Sequence, residues 1–150
     1  MALDDIDHRI LTLLTDEGRI SYADLAQRVG LTGPSVADRI RRLESTGILR
    51  GFTARLDGPA LGLTLTAFIA VTLEPGSDAA DFTEALHTMP EVLECHHTAG
   101  ADDYLLKVCV PGTSGLEDLI SERLKKLPGV ARTHSTVVLS TAIDRPVTPL

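Results

Sequence analysis

The chain has 150 residues and is 43% hydrophobic, which suits one ordinary domain or two small ones and excludes a disordered chain. Its net charge is −7, and no apolar run approaches the ~20 residues of a membrane span. Asp4, Asp5 and Asp7 open the chain, the opposite of a basic secretory leader, so a cytoplasmic protein is expected, with Cys95 and Cys109 as buried thiols rather than a disulfide.

Leu3, Ile6, Ile10, Leu13 and Leu14 recur at helical spacing, with Asp4 and Asp5 expected in the first turn and Gly18 ending the helix. Ser21 is placed to cap a second helix that carries Tyr22, Leu25, Ala26 and Val29 on one face and stops at Gly30. Thr32 caps a third helix, with Pro34 in its first turn, Val36, Ile40 and Leu43 inward, and Gly47 at its end. Two helices joined by so short a turn form a helix-turn-helix. Ile48 to Leu56, with Gly51 in its middle, then reads as a β-ribbon, which makes the unit a winged helix-turn-helix.

Charge says what this unit meets. Between Gln27 and Arg55 lie six arginines (Arg28, Arg39, Arg41, Arg42, Arg50, Arg55) against only Asp38 and Glu44. Residues 1–56 balance eight basic side chains with eight acidic ones, whereas residues 57–150 set six against thirteen. The asymmetry separates two modules with different partners, and a basic helix in an acidic chain calls for a polyanion, here double-stranded DNA. The expected contacts are Gln27, Thr32, Ser35, Asp38, Arg39, Arg42 and Arg50. Arg39 and Arg42 would reach guanine edges or clamp phosphates, Ser35 would meet a phosphate or base edge at the helix start, and Arg50 would touch backbone.

Asp57-Gly58-Pro59 and Gly62 punctuate a linker over 57–64. From Leu65 to Leu73 the pattern changes to period two, a strand covered on both faces. A helix from Asp78 to Met89 follows, then strands over Val92–Ala99 and Tyr104–Val110. Leu116, Leu119, Ile120, Arg123, Leu124 and Leu127 mark another helix, and Val130–Thr141 is the last strand. The order is βαββαβ, a ferredoxin-like unit, so the fold class is α+β. The domains expected are 1–56, the linker, 65–142, and a tail over 143–150. One sheet face is covered by helices; the other is not uniformly polar, which argues for a homodimer, sheet on sheet.

The first sixty residues closely resemble the Lrp/AsnC (feast/famine) family of transcription regulators. The resemblance rests on Leu3-Asp4, Ile6-Asp7, Gly18-Arg19-Ile20-Ser21, Leu25-Ala26, Val29-Gly30-Leu31, Arg39, Leu43-Glu44, Gly47-Ile48-Leu49 and Leu61-Gly62. Gly33-Pro34 departs from the serine-proline pair common in the family. The second module resembles the family's effector domain through Gly100, Asp103-Tyr104-Leu105-Leu106, Val108, Leu127-Pro128-Gly129-Val130, Thr133 and Ser135, leaving only Ile143 to Leu150 outside. The resemblance implies a regulator, not an enzyme, that binds a pseudo-palindromic DNA site. It also implies a homodimer that builds tetramers or octamers, and a free amino acid held at the glycine turn. Backbone amides around the turn would hold its carboxylate and Asp103 its ammonium. The expected ligand set is Thr98, Gly100, Ala101, Asp102, Asp103, Tyr104, Thr133, Ser135 and Thr136. Ala99, Ala101 and Asp102 replace residues usual in the family, and the second acid would favour a basic ligand or face water.

No cofactor and no metal are expected. His96 and His97 are adjacent on a strand and face opposite ways, which leaves His96 with His134 on a neighbouring strand as the metal-binding alternative. A rival enzymatic reading, a tetrapyrrole decarboxylase resembling the same family, would line a pocket with Arg132, His134 and His96. A stand-alone metabolite sensor is the third reading; neither rival gives the basic helix a task.

Overall fold

The computed structural model describes residues 2–149. It divides into two compact units. The first runs through Arg55 and includes the residues from Ile143 on; the second is Leu56–Ala142. Among the described residues no helix is long and apolar enough to cross a membrane.

The first unit is three helices: α1 (Asp5–Asp16), α2 (Tyr22–Val29) and α3 (Gly33–Ser45). Asp4 caps α1 instead of sitting in its first turn. Its Oδ1 accepts from the Asp7 N–H at 2.8 Å while its own N–H donates to Asp7 Oδ2 at 3.4 Å, a reciprocal capping box. Ser21 caps α2 by accepting from the Asp24 N–H at 3.0 Å. Gly30 closes α2 at φ 73°, a conformation that costs glycine nothing, and lets the Leu31 N–H reach the Ala26 carbonyl at 2.9 Å. The turn thus brings α3 across α2 over a core of Ile10, Leu14, Leu25, Val29, Val36, Ile40 and Leu43. Each such side chain removed from water stabilises the unit by ~1.5–3 kcal/mol.

The ribbon expected over Ile48–Leu56 does not form. The segment has no ladder partner among the described residues. A ribbon needs a return strand, and the tight turn at Pro59–Leu61 follows instead. The C-terminal tail, expected as an appendage of its own, groups with this unit: Arg55 Nη2 donates to Asp144 Oδ2 at 2.7 Å, and Pro149 lines a cleft with His8, Thr12 and Arg28.

The second unit is a four-stranded antiparallel sheet of β1 (Leu65–Leu73), β2 (Val92–His97), β3 (Tyr104–Val110) and β4 (Val130–Val137), in the order β2-β3-β1-β4. The helices are α4 (Ala79–Leu86), capped by Asp78, and α5 (Thr113–Glu117). The latter continues in wider turns over Asp118–Arg123 and closes in a tight turn at Leu124–Lys126. Period two sends Ala67, Ile69 and Val71 of β1 and Tyr104, Leu106, Val108 and Val110 of β3 into one core with Phe82, Leu86, Leu116, Leu119 and Leu124. The opposite face shows Phe68, Ala70, Leu105 and Lys107; Phe68 stays 37% exposed.

Candidate nucleic-acid interface and effector turn

The spacing of Val36, Ile40 and Leu43 turns one side of α3 inward and leaves Pro34, Ser35, Asp38, Arg41, Arg42 and Ser45 exposed. At its start, Thr32 Oγ1 lies 2.9 Å from Ser35 Oγ and accepts from the Ser35 N–H at 3.4 Å. Gln27 on α2 and Arg50 beyond α3 are exposed.

Arg39 and Arg42 have intramolecular partners that the sequence reading did not anticipate. Both were expected to face DNA, and both are engaged by α1. Asp7, only 1% exposed, accepts from Arg39 Nη1 at 2.7 Å and from Arg42 Nη2 at 2.8 and 3.0 Å. Arg39 also donates to Asp4 at 2.7 and 2.9 Å and is 23% exposed. The Asp4 and then Asp7 hydrogen bonds raise the Arg39 pKa. The Asp4 carboxyl is held below its ordinary range, first by the Asp7 N–H and then by Arg39. Asp7 is the buried member and needs these cations, so the cluster ties α3 to α1. The signal was in the sequence. Asp7 precedes Ile10, Leu11 and Leu14 on the buried stripe of α1, and a carboxylate there needs a cation.

The second candidate site is the hairpin between β2 and β3. Thr98 and Asp103 close it: the Thr98 N–H donates to the Asp103 carbonyl at 2.8 Å, and Thr98 Oγ1 to the Asp102 carbonyl at 2.8 Å. Gly100 and Ala101 sit exposed at its tip. Asp103, expected to take an ammonium, instead accepts from the Leu73 N–H at 2.8 Å. Its Oδ2 thereby ties the hairpin to the end of β1. Tyr104 is also committed. It is buried with its ring 5.0 Å from Phe82 and stacked at 5.1 Å on His97.

Asp102 is the acid left partly open. It accepts from Thr72 Oγ1 at 2.7 Å and from Arg132 Nη2 at 3.1 Å. The Thr72 hydroxyl first, and Arg132 after it, lower its carboxyl below the ordinary range. The nine expected ligand residues do not converge. Thr133 and Ser135 pair with Val71 and Ile69 on the helix-covered face, whereas Thr136 pairs with Phe68 on the other. Arg132 was missed as the partner of Asp102 because only the strand order, with β1 between β3 and β4, brings β4 within reach of the hairpin.

The histidines are further apart than expected. His96 lies opposite Leu105 and His134 opposite Ala70, on the two edges of the sheet. Three strand spacings separate them, roughly 14 Å, so they cannot share one ion. The same distance keeps His96 away from Arg132 and His134, so the pocket imagined for a tetrapyrrole does not assemble from them.

Comparison with known proteins adds to this geometry. A winged helix-turn-helix DNA-binding domain matches residues 3–50, and the Lrp/AsnC ligand binding domain matches residues 66–148. The second match takes in most of the tail that the sequence motifs left outside. The leucine-responsive regulatory protein of Escherichia coli K12 is 41% identical over 139 residues, covering 91% of this chain and 85% of that protein. A Neisseria meningitidis transcriptional regulator solved as an L-Met complex superposes with a TM-score of 0.94 at 32% identity, covering 99% of this chain and 97% of that one. The Mycobacterium tuberculosis leucine response regulatory protein superposes with a TM-score of 0.85 at 38% identity, covering 98% and 100%.

Proposed function

This chain belongs to the Lrp/AsnC family, and from that premise we propose a transcription regulator that grips duplex DNA with its first unit and senses a free amino acid with its second. The observation that carries the DNA reading is α3, capped at Thr32, with its outer face free of the three-helix core. That face enters the major groove. Thr32 and Ser35 at the helix start hold a phosphate, Gln27 approaches from α2, and Arg50 adds a backbone contact. The acidic second unit has no part in gripping phosphate.

Asp102 and Arg132, 3.1 Å apart beside the Gly100 turn, carry the effector reading. An amino acid brings the complementary pair, its ammonium to Asp102 and its carboxylate to Arg132 or to the amides of Gly100 and Ala101. The L-Met of the Neisseria relative makes that class the first to test. A second copy covers the face bearing Phe68 and Leu105. The resulting homodimer presents two α3 helices to a pseudo-palindromic site and assembles further into tetramers or octamers. Effector and DNA then change each other's affinity by the same factor.

The test is anisotropy titration of a selected duplex with and without each of the twenty amino acids. At least one should shift DNA affinity in the wild type and not in Asp102→Ala. An equal response in both would place the effector elsewhere.

A further inference from the structure

Six arginines crowd the region of α3, and the structure sorts them. Arg39 and Arg42 answer Asp7, Arg28 pairs with Glu17, Arg55 pairs with Asp144, and Arg50 lies exposed beyond the end of α3. Arg41 differs. It is 69% exposed and, among the described residues, its only carboxylate partner is Asp38, itself 69% exposed and one helical turn earlier. Asp38 and Arg41 recur with Pro34 and Ser45 on the side of α3 away from Val36, Ile40 and Leu43. This is the side of α3 farthest from the three-helix core, whereas Arg39 flanks the core and is turned toward α1.

We infer that Arg41, steered by Asp38, is the base-reading arginine of this protein, and that Arg39 only positions α3. The proposal rests on the DNA-binding reading above and names the specificity residue within it. A guanidinium presents two parallel N–H donors, which match the O6 and N7 acceptors of guanine in the major groove. A side chain as long as arginine is selective only if its fork is held at one angle. Asp38 Oδ1 accepts from Arg41 Nη2, which leaves the rest of the fork free to face outward. The same carboxylate repels phosphate, so the pair disfavours a backbone contact and favours a base contact. Arg39 is less free: it is 23% exposed, against 69% for Arg41, and its Nη1 bridges two carboxylates of the α1 end, Asp4 and Asp7.

The experiment is selection of bound duplexes from a random pool by the full-length protein, followed by titration of the selected and of an unrelated duplex. The proteins are wild type, Arg41→Ala, Arg41→Lys, Asp38→Ala and Arg39→Ala. Arg41→Ala should lose one guanine preference per half-site and bind the selected duplex about tenfold to a hundredfold more weakly. Its affinity for the unrelated duplex should change by less than about threefold. Arg41→Lys keeps the charge without the fork and should show the same lost preference. Asp38→Ala should keep its affinity for both duplexes more nearly equal, because an unsteered arginine still finds phosphate. Arg39→Ala should bind all sequences more weakly with the wild-type base profile, together with a lower Tm. A selective wild type whose profile survives in Arg41→Ala, or changes at one base in a folded Arg39→Ala, overturns the assignment and leaves the DNA reading standing. A wild type that enriches no sequence removes both.

Discussion

Each unit sets an aspartate against arginine, and the two clusters differ in what they leave over. Asp7 is 1% exposed and takes two guanidiniums and a backbone N–H. Asp102 is 27% exposed and takes one hydroxyl and one arginine that is itself 63% exposed. The chemistry is the same; burial and saturation decide the role. A saturated, dry carboxylate holds helices together, and removing it strands charge. A wet one with spare lone pairs exchanges partners at small cost, which is what a binding site needs.

Breaking the saturated cluster should have the largest effect. Asp7→Ala leaves Arg39 and Arg42 facing each other and is expected to lower stability by about 3 kcal/mol, the low end for a buried pair because Arg39 keeps Asp4 and Arg42 is 46% exposed, read from urea unfolding of the full chain. Loss below ~1 kcal/mol would mean the cluster is no clamp. Asp103→Ala removes the acceptor of the Leu73 N–H and should cost ~1–3 kcal/mol, with retained effector response in whatever fraction folds. Thr32→Ala removes the α3 cap and should cost about 1 kcal/mol.

The open cluster should respond to pH rather than to denaturant. The folded pKa of Asp102 is depressed, so its contribution is present above the unfolded value of about 4 and is lost as pH falls through the folded one. Thr72→Val should raise its carboxyl titration further than Arg132→Ala, since the hydroxyl lowers it most; NMR of the side-chain carboxyl reads both. Arg41→Ala is the smallest case. An exposed pair on a helix surface should change stability by less than ~0.5 kcal/mol, and a larger loss would count Arg41 among the clamps.

Local chemistry carried most of the fold. Ser21, Thr32 and Gly30 announce the helix ends because a cap or a positive φ involves only the next few residues. The period-two runs of β1 and β3 and the βαββαβ order could be read for the same reason, since alternation along a strand reports its own two faces. What no local pattern settles is which strand neighbours which. The order β2-β3-β1-β4 puts His96 and His134 on opposite edges and brings Arg132 to Asp102. Nor does it settle which guanidinium meets which carboxylate. The pairing of Asp7 with Arg39 and Arg42 spans more than thirty residues and exists only once α1 lies against α3. Sequence therefore determined the elements and their family, because capping and periodicity are short-range. Tertiary structure decided which charges remain free to bind, because two side chains cancel by distance in space and not along the chain.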